Sequence, residues 1–170
     1  MRLRPPAAPQ FPLMGDLCAR PLYKSAVENR PSRPTLRQVV LDTTDARALA
    51  EFYRELLGFV YRIGDEPPPA GEVDAKGRDW LVLVQPSGSS RIAFQQVSDL
   101  RKPTWPQPEV PQQLHLDLTV PTLEDLELQH QRVLDLGATL LLDRSQHNDE
   151  PLRVYADPAG HPFCIFVPPS

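Results

Sequence analysis

The chain is short of cysteine, of positive charge and of long apolar runs, and each shortage removes a class of protein. Two cysteines, Cys18 and Cys164, occur in 170 residues. One pair cannot supply a disulfide framework, so a reduced, cytoplasmic protein is expected. Lys and Arg number 18 against 22 Asp and Glu, giving a formal net charge of −4. The cations are scattered, with no aromatic-interleaved stripe, so nucleic acid is not an expected partner. No apolar run approaches the ~20 residues of a membrane span, and no membrane partner is expected. The basic start Met1-Arg-Leu-Arg-Pro-Pro lacks the apolar stretch of a signal peptide, and Met14 offers an alternative start. Glycine is sparse as well, at eight residues. None opens a strand-to-helix loop that would cradle phosphate, and Gly88 with its serines reads as a turn.

Proline is abundant, at 21 of 170 residues, more than twice the ~5% average. Such a chain should be rich in loops and short strands. Residues 1–34 hold seven prolines and no sustained period, so they read as an irregular or disordered arm. The functional alternative is an arm that packs on a partner subunit through Phe11, Leu13, Leu22 and Tyr23.

Order is expected from Leu36–Thr44, a strand with Val39 and Leu41 on one face. Asp45 then stands as an N-cap before a helix over Ala46–Leu57. Leu49, Phe52, Tyr53, Leu56 and Leu57 recur at helical spacing, and Gly58 stops it. Strands are predicted at Phe59–Ile63, Trp80–Val84 and Arg91–Val97, with a loop at Asp65–Gly77. A proline-bearing connector, residues 99–112, follows. The next strand is Gln113–Val120, whose leucines and valine alternate with Gln113, His115, Asp117 and Thr119. A polar face of that kind is either solvated or the wall of a site. Thr122 should cap a helix over about Leu123–Leu136, with Asp125 three residues on. Leu126, Val133, Leu134 and Leu136 are its core candidates, and Gly137 stops it. Strands at Thr139–Leu142, Leu152–Tyr155 and Pro162–Val167 close the chain.

The two halves repeat: strand, helix, glycine stop, three strands. The stop glycines are 137 − 58 = 79 residues apart, and Gln38 aligns with His115, 115 − 38 = 77 residues on. The expected fold is α+β: two βαβββ modules in one chain, with curved mixed sheets enclosing a cavity. The first module spans about 35–98 and the second about 113–168, together making one domain over 35–168.

Asp45-Ala-Arg-Ala-Leu-Ala-Glu-Phe-Tyr53 with Leu57-Gly58 resembles the first module of the vicinal oxygen chelate superfamily. That superfamily holds glyoxalase I, bleomycin-resistance proteins and extradiol dioxygenases. His115–Gly137 and Ala156-Asp-Pro-Ala-Gly-His-Pro-Phe-Cys164 resemble its second module. The nearest likeness is to its uncharacterised glyoxalase-like domain group, over about residues 36–168. The resemblance implies the fold. It does not choose among lyases, isomerases, dioxygenases and binding proteins, because the fold hosts them all.

Metal-dependent members of this superfamily take ligands from the first and last strand of each module. Position by position, those ligands fall on Gln38, on Ala93 or Gln95, on His115 and on Cys164. His115 alone keeps a strong ligand type in its place, and transition-metal sites generally need three or more such side chains. The expectation is therefore a cavity with no cofactor, built from Gln38, Gln95, His115, Asp117 and Cys164. A divalent transition metal on His115 is the alternative. In the first case His115 and Asp117 are the catalytic candidates, since an imidazole can give or take a proton near neutral pH. In a purely structural role, His115 would bond across the sheet to Gln38 or Gln95. Cys164, among Phe163, Ile165 and Phe166, reads as a buried thiol. Trp80 and Tyr155 are further ligand-binding candidates, and Trp105 suits a lid or a plug between modules. His161 reads as a turn or rim residue.

Three functions stay open at this point. One is a glyoxalase-like small-molecule-binding protein, with the option of lyase or isomerase activity that lacks the usual complete metal site. Another is a metal-dependent lyase, isomerase or dioxygenase centred on His115. The third is a bleomycin-resistance-type protein that sequesters a drug without chemistry. A small molecule is the expected partner in each, and a homodimer is compatible with all three.

Overall fold

The computed structural model describes residues 33–88 and 90–169. The proline-rich arm, with Cys18, Phe11, Leu13, Leu22 and Tyr23, lies almost wholly outside the described residues. From Leu36 onward the chain forms one compact unit.

The first module is β1 (Val39–Thr43), α1 (Ala46–Leu57), β2 (Val60–Tyr61), β3 (Trp80–Val84) and β4 (Arg91–Gln96). The second is β5 (Leu116–Thr119), α2 (Leu123–Asp135), β6 (Thr139–Arg144), β7 (Leu152–Ala156) and β8 (Pro162–Phe166). Each module makes its own four-stranded mixed sheet, ordered β1-β4-β3-β2 and β5-β8-β7-β6. In both, the first strand runs parallel to the fourth and the other pairs are antiparallel. The α+β expectation and the repeat are met, with the two sheets not closed into a barrel.

Both helices begin where side-chain chemistry dictates. Asp45 accepts from the Ala48 N–H at 2.9 Å, and the Thr122 hydroxyl accepts from the Asp125 N–H at 3.0 Å. These contacts satisfy N–H groups that have no partner within the helix. Gln96 adds a tertiary cap, its Oε1 accepting from the Ala46 N–H at 2.8 Å. α1 ends at Gly58, whose φ of +66° lies in the left-handed region that glycine enters without a Cβ penalty.

Five strands are shorter than their sequence pattern, β4 by one residue at Gln96. β1 starts at Val39 and β2 is two residues long. β5 starts at Leu116, three residues late, and β8 ends one residue early at Phe166. At β5 the reason is the partner strand. Leu116 pairs with Phe163, so the position beside His115 falls to Pro162, which has no N–H to offer a ladder.

The core lies where α1 meets both modules. Leu41, Leu49, Phe52, Tyr53 and Phe94 are buried with Leu126, Val133, Tyr155, Phe163 and Ile165. Phe52 meets Phe163 edge-on at 5.9 Å between ring centroids, and Tyr155 stacks on Phe163 at 5.3 Å. Phe163 thus joins the modules through aromatic contact.

Candidate functional site

The site is built on the face of the second sheet that the core leaves open. Alternation along β5 turns Leu116 and Leu118 toward the core and leaves Asp117 and Thr119 exposed. On β8, Phe163 and Ile165 are buried while Cys164 and Phe166 are half-buried. On β7, Arg153 and Tyr155 go inward, leaving Leu152 and Val154 on the open side. His115, Asp117, Cys164, Leu152, Val154 and Phe166 line a cavity of about 330 Å³ there. The connector adds Trp105 and Gln112 to its wall, and the loop before β7 adds Glu150.

Four polar side chains are linked across this wall. Asp117 and Cys164 are paired in the β5–β8 ladder, and the thiol donates to Asp117 Oδ1 at 2.8 Å. His115 Nε2 lies 3.5 Å from the same oxygen. Gln112 Nε2 lies 3.4 Å from His115 Nδ1. His115 and Asp117 keep side-chain exposures of 50% and 59%, so both remain open to a ligand. Burial and the hydrogen bond to the Asp117 carboxylate push the Cys164 thiol up to about 12. It is a protonated donor near neutral pH, not a thiolate nucleophile.

Of the predicted site residues, His115, Asp117 and Cys164 come together, and Trp105 joins them. Gln38, Gln95 and Trp80 do not line this cavity. The cross-strand partner foreseen for His115 is replaced by Gln112, three residues before it in the chain. Tyr155 is fully buried on the opposite face of the sheet, its hydroxyl 3.0 Å from His130 Nδ1. Its place one residue from Val154 gave it the wrong side, by the period-two rule. Gln113, expected on the face of His115, lines a different cavity of about 390 Å³ beside β1, because regular strand has not begun there. His161 also borders that second cavity and lies with Nε2 2.7 Å from the Asp42 carbonyl oxygen. Gln112 and Glu150 lie in segments without period, so the sequence carries no signal of where they face.

Strand register settles which residue of the first module corresponds to Cys164. Asp117 pairs with Cys164, and Val40 pairs with Ala93. Since 117 − 40 = 77, the same offset as His115 from Gln38, Ala93 is the counterpart of Cys164. Gln95 sits two residues further on, opposite Asp42 and Trp80. The first module therefore places Gln38, Val40 and Ala93 where the second places His115, Asp117 and Cys164.

That substitution bears on a metal. An amide oxygen is a weak neutral donor, and alanine is none. In the second module the Cys164 proton is directed at the oxygen that His115 also approaches. Among the described residues, no group of three or more His, Cys, Asp or Glu is placed to hold a metal ion. The donors among the described residues do not fit a transition-metal centre.

Comparison with known proteins places this geometry in a family. No curated protein matches the sequence. Among solved structures, a glyoxalase/bleomycin resistance protein/dioxygenase family enzyme from Burkholderia phytofirmans PsJN is 20% identical. The match covers 76% of this chain and 95% of that one, with a TM-score of 0.56. A glyoxalase/dioxygenase from Nostoc punctiforme is also 20% identical, over 84% of this chain and 99% of its own, at a TM-score of 0.55. A variant of the fosfomycin resistance protein FosX from Listeria monocytogenes, complexed with Mn(II) and 1S,2S-dihydroxypropylphosphonic acid, is 14% identical. It covers 81% of this chain and 94% of its own, at a TM-score of 0.56. These likenesses carry the fold. The family model for the glyoxalase-like domain matches residues 38–166, from the counterpart of His115 to the end of β8. With both βαβββ modules inside that match, the chain belongs to the glyoxalase-like domain family of the vicinal oxygen chelate superfamily.

Proposed function

We propose that this protein binds a small organic molecule in the cavity of its second module and acts on it by proton transfer without a resident metal. The observation that carries the reading is the His115–Asp117–Cys164 chain on the cavity wall, set against Gln38, Val40 and Ala93 in the first module. Cys164 stays protonated and holds Asp117 Oδ1. His115 is then the cavity group that gives a proton to a bound molecule or takes one from it, with Asp117 as its neighbour. Chemistry of that kind is lyase or isomerase chemistry. A protein that only retains its ligand, in the manner of a drug-sequestering protein, would use the same wall.

The competing reading is a metal-dependent lyase, isomerase or dioxygenase centred on His115. It is favoured by the Mn(II) bound in the FosX structure, which shares the fold. Elemental analysis of protein purified without chelators separates the two. The expected result is well under one equivalent of transition metal. A full equivalent that disappears in His115→Ala overturns the metal-free reading. Catalysis is then distinguished from sequestration by incubating a bound ligand and asking whether it is recovered unchanged.

A homodimer belongs to the same proposal. Gln38, Gln95 and Trp80 do not face the cavity of their own chain, and a second copy could bring them to it. Sedimentation equilibrium tests that arrangement directly. The sparse cysteines favour a reducing, cytoplasmic setting.

A further inference from the structure

The charge of the cavity constrains its ligand as much as its size does. Two carboxylates reach it, Asp117 from β5 and Glu150 from the loop before β7, and no lysine or arginine is among its lining residues. Arg153 lies between the cavity residues Leu152 and Val154 in sequence, but strand alternation turns it to the other face. There it is buried and committed, donating to Glu127 Oε2 at 2.7 Å, Asp143 Oδ2 at 3.0 Å and the Ser145 hydroxyl at 3.2 Å. His115 is the lone lining group able to carry positive charge, and it already lies beside Asp117. The remaining wall is apolar and aromatic, with Trp105, Leu152, Val154, Pro162, Phe163 and Phe166.

An anion in this space would sit near two carboxylates with no Lys or Arg to pair it. Both carboxylates are exposed, so solvent softens the repulsion, but its sign disfavours anions and adds to what attractive contacts select. A cation meets the reverse: carboxylates for its charge, and the indole of Trp105, a ring type that attracts cations and apolar carbon alike. A volume of about 330 Å³ is near the lower limit for small-molecule sites, so the ligand is compact.

We infer that this cavity selects compact organic cations, a protonated amine or quaternary ammonium on an apolar or aromatic body, over carboxylates, phosphonates and phosphates. The inference rests on the proposed reading of the cavity as a small-molecule site. It separates this chain from the phosphonic-acid complex of its FosX neighbour, although the two share a fold.

Three matched probes test it on the full chain: phenethylamine, phenethyl alcohol and phenylpropionate. Binding is read by ligand-observed NMR and by tryptophan fluorescence. The amine should bind at least about tenfold more tightly than the carboxylate, with the alcohol between them. The preference should shrink in Asp117→Asn and in Glu150→Gln and vanish in the double variant. It should persist in Glu124→Gln, which removes an exposed carboxylate of α2. Circular dichroism of each variant confirms that it folds. Equal or tighter binding of phenylpropionate overturns the inference, as does an amine preference that survives the double variant. Equal binding of all three probes overturns the charge selectivity and leaves the small-molecule reading standing. If none of the three binds at millimolar concentration, both readings fall.

Discussion

Tyr53 of α1 donates its hydroxyl proton to Asp157 Oδ2 at 2.9 Å, a buried bond between the helix of the first module and the turn that precedes β8. Asp157 Oδ1 accepts in addition from the N–H groups of Gly160 at 2.8 Å and His161 at 2.9 Å. The carboxylate thus ties the turn to itself and to the opposite module. β8 leaves that turn carrying Phe163 into the core and Cys164 to the cavity wall.

Replacing Tyr53 with phenylalanine should keep the ring contacts with Phe52, Phe94 and Phe163 and lose only the hydroxyl. One oxygen of a buried carboxylate would then lack its partner. A loss of about 1–3 kcal/mol in unfolding free energy is expected, read from urea denaturation. An unchanged midpoint would mean that the bond does not hold the modules together.

Gly160 has a φ of +102°, and a Cβ there would come within 2.9 Å of the Lys102 side chain. Gly160→Ala therefore meets both backbone strain and a clash with the connector. The expected cost is about 1–3 kcal/mol, seen as a lower thermal midpoint. Adding Lys102→Ala should recover the steric part and leave the backbone part. Full recovery would show that the left-handed backbone costs nothing here.

Alkylation of Cys164 should be slow at neutral pH, because burial and Asp117 keep the thiol protonated. In a Cys18→Ser background the iodoacetamide rate should fall more than about tenfold below that of a free thiol. Asp117→Asn removes the neighbouring charge and should speed the reaction severalfold. Reaction as fast as glutathione in the parent protein would contradict a hydrogen-bonded, protonated thiol.

Two carboxylates give stability opposite pH dependences. Burial alone would raise Asp143, but hydrogen bonds from Ser145 and the Arg153 guanidinium outweigh it and hold the group at about 2. Its contribution is present above the ordinary aspartate range and is lost as pH falls through about 2. The side chain is 42% exposed, so solvent screening keeps the effect small. Asp157 is raised, chiefly by burial, while the nearby His161 and the hydrogen bonds it accepts pull it partway back. Its contribution is greatest at low pH and fades as pH rises through the elevated value. Asp157→Asn should flatten the decline on the alkaline side of the carboxylate range, and Asp143→Asn should flatten it on the acid side. Parallel pH profiles for parent and variants would refute both assignments.

Local elements and their repetition are legible in the residues alone. Asp45, Gly58 and Thr122 mark helix ends because the bonds involved span only a few residues. The core faces of α1 and α2 follow from helical spacing, and the polar face of β5 from period two. His115, Asp117 and Cys164 could be gathered because one lies two residues from another and the third falls at a position the family resemblance supplies.

What stands around them depends on long-range packing. Pro162 cuts β5 short from a strand more than forty residues away, and the start of ordered pairing then sends Gln113 to another cavity. Ala93, not Gln95, is fixed as the counterpart of Cys164 by ladder register, which a two-residue shift would change. Gln112, Trp105 and Glu150 join the wall from segments without period, where no local rule says which way a side chain points. Tyr155 went to the core because the parity of a strand fixes alternation but not which face is buried. Short-range hydrogen bonding and periodicity are written into neighbouring residues. The facing of sheets and the path of proline-rich connectors are settled only when distant surfaces pack.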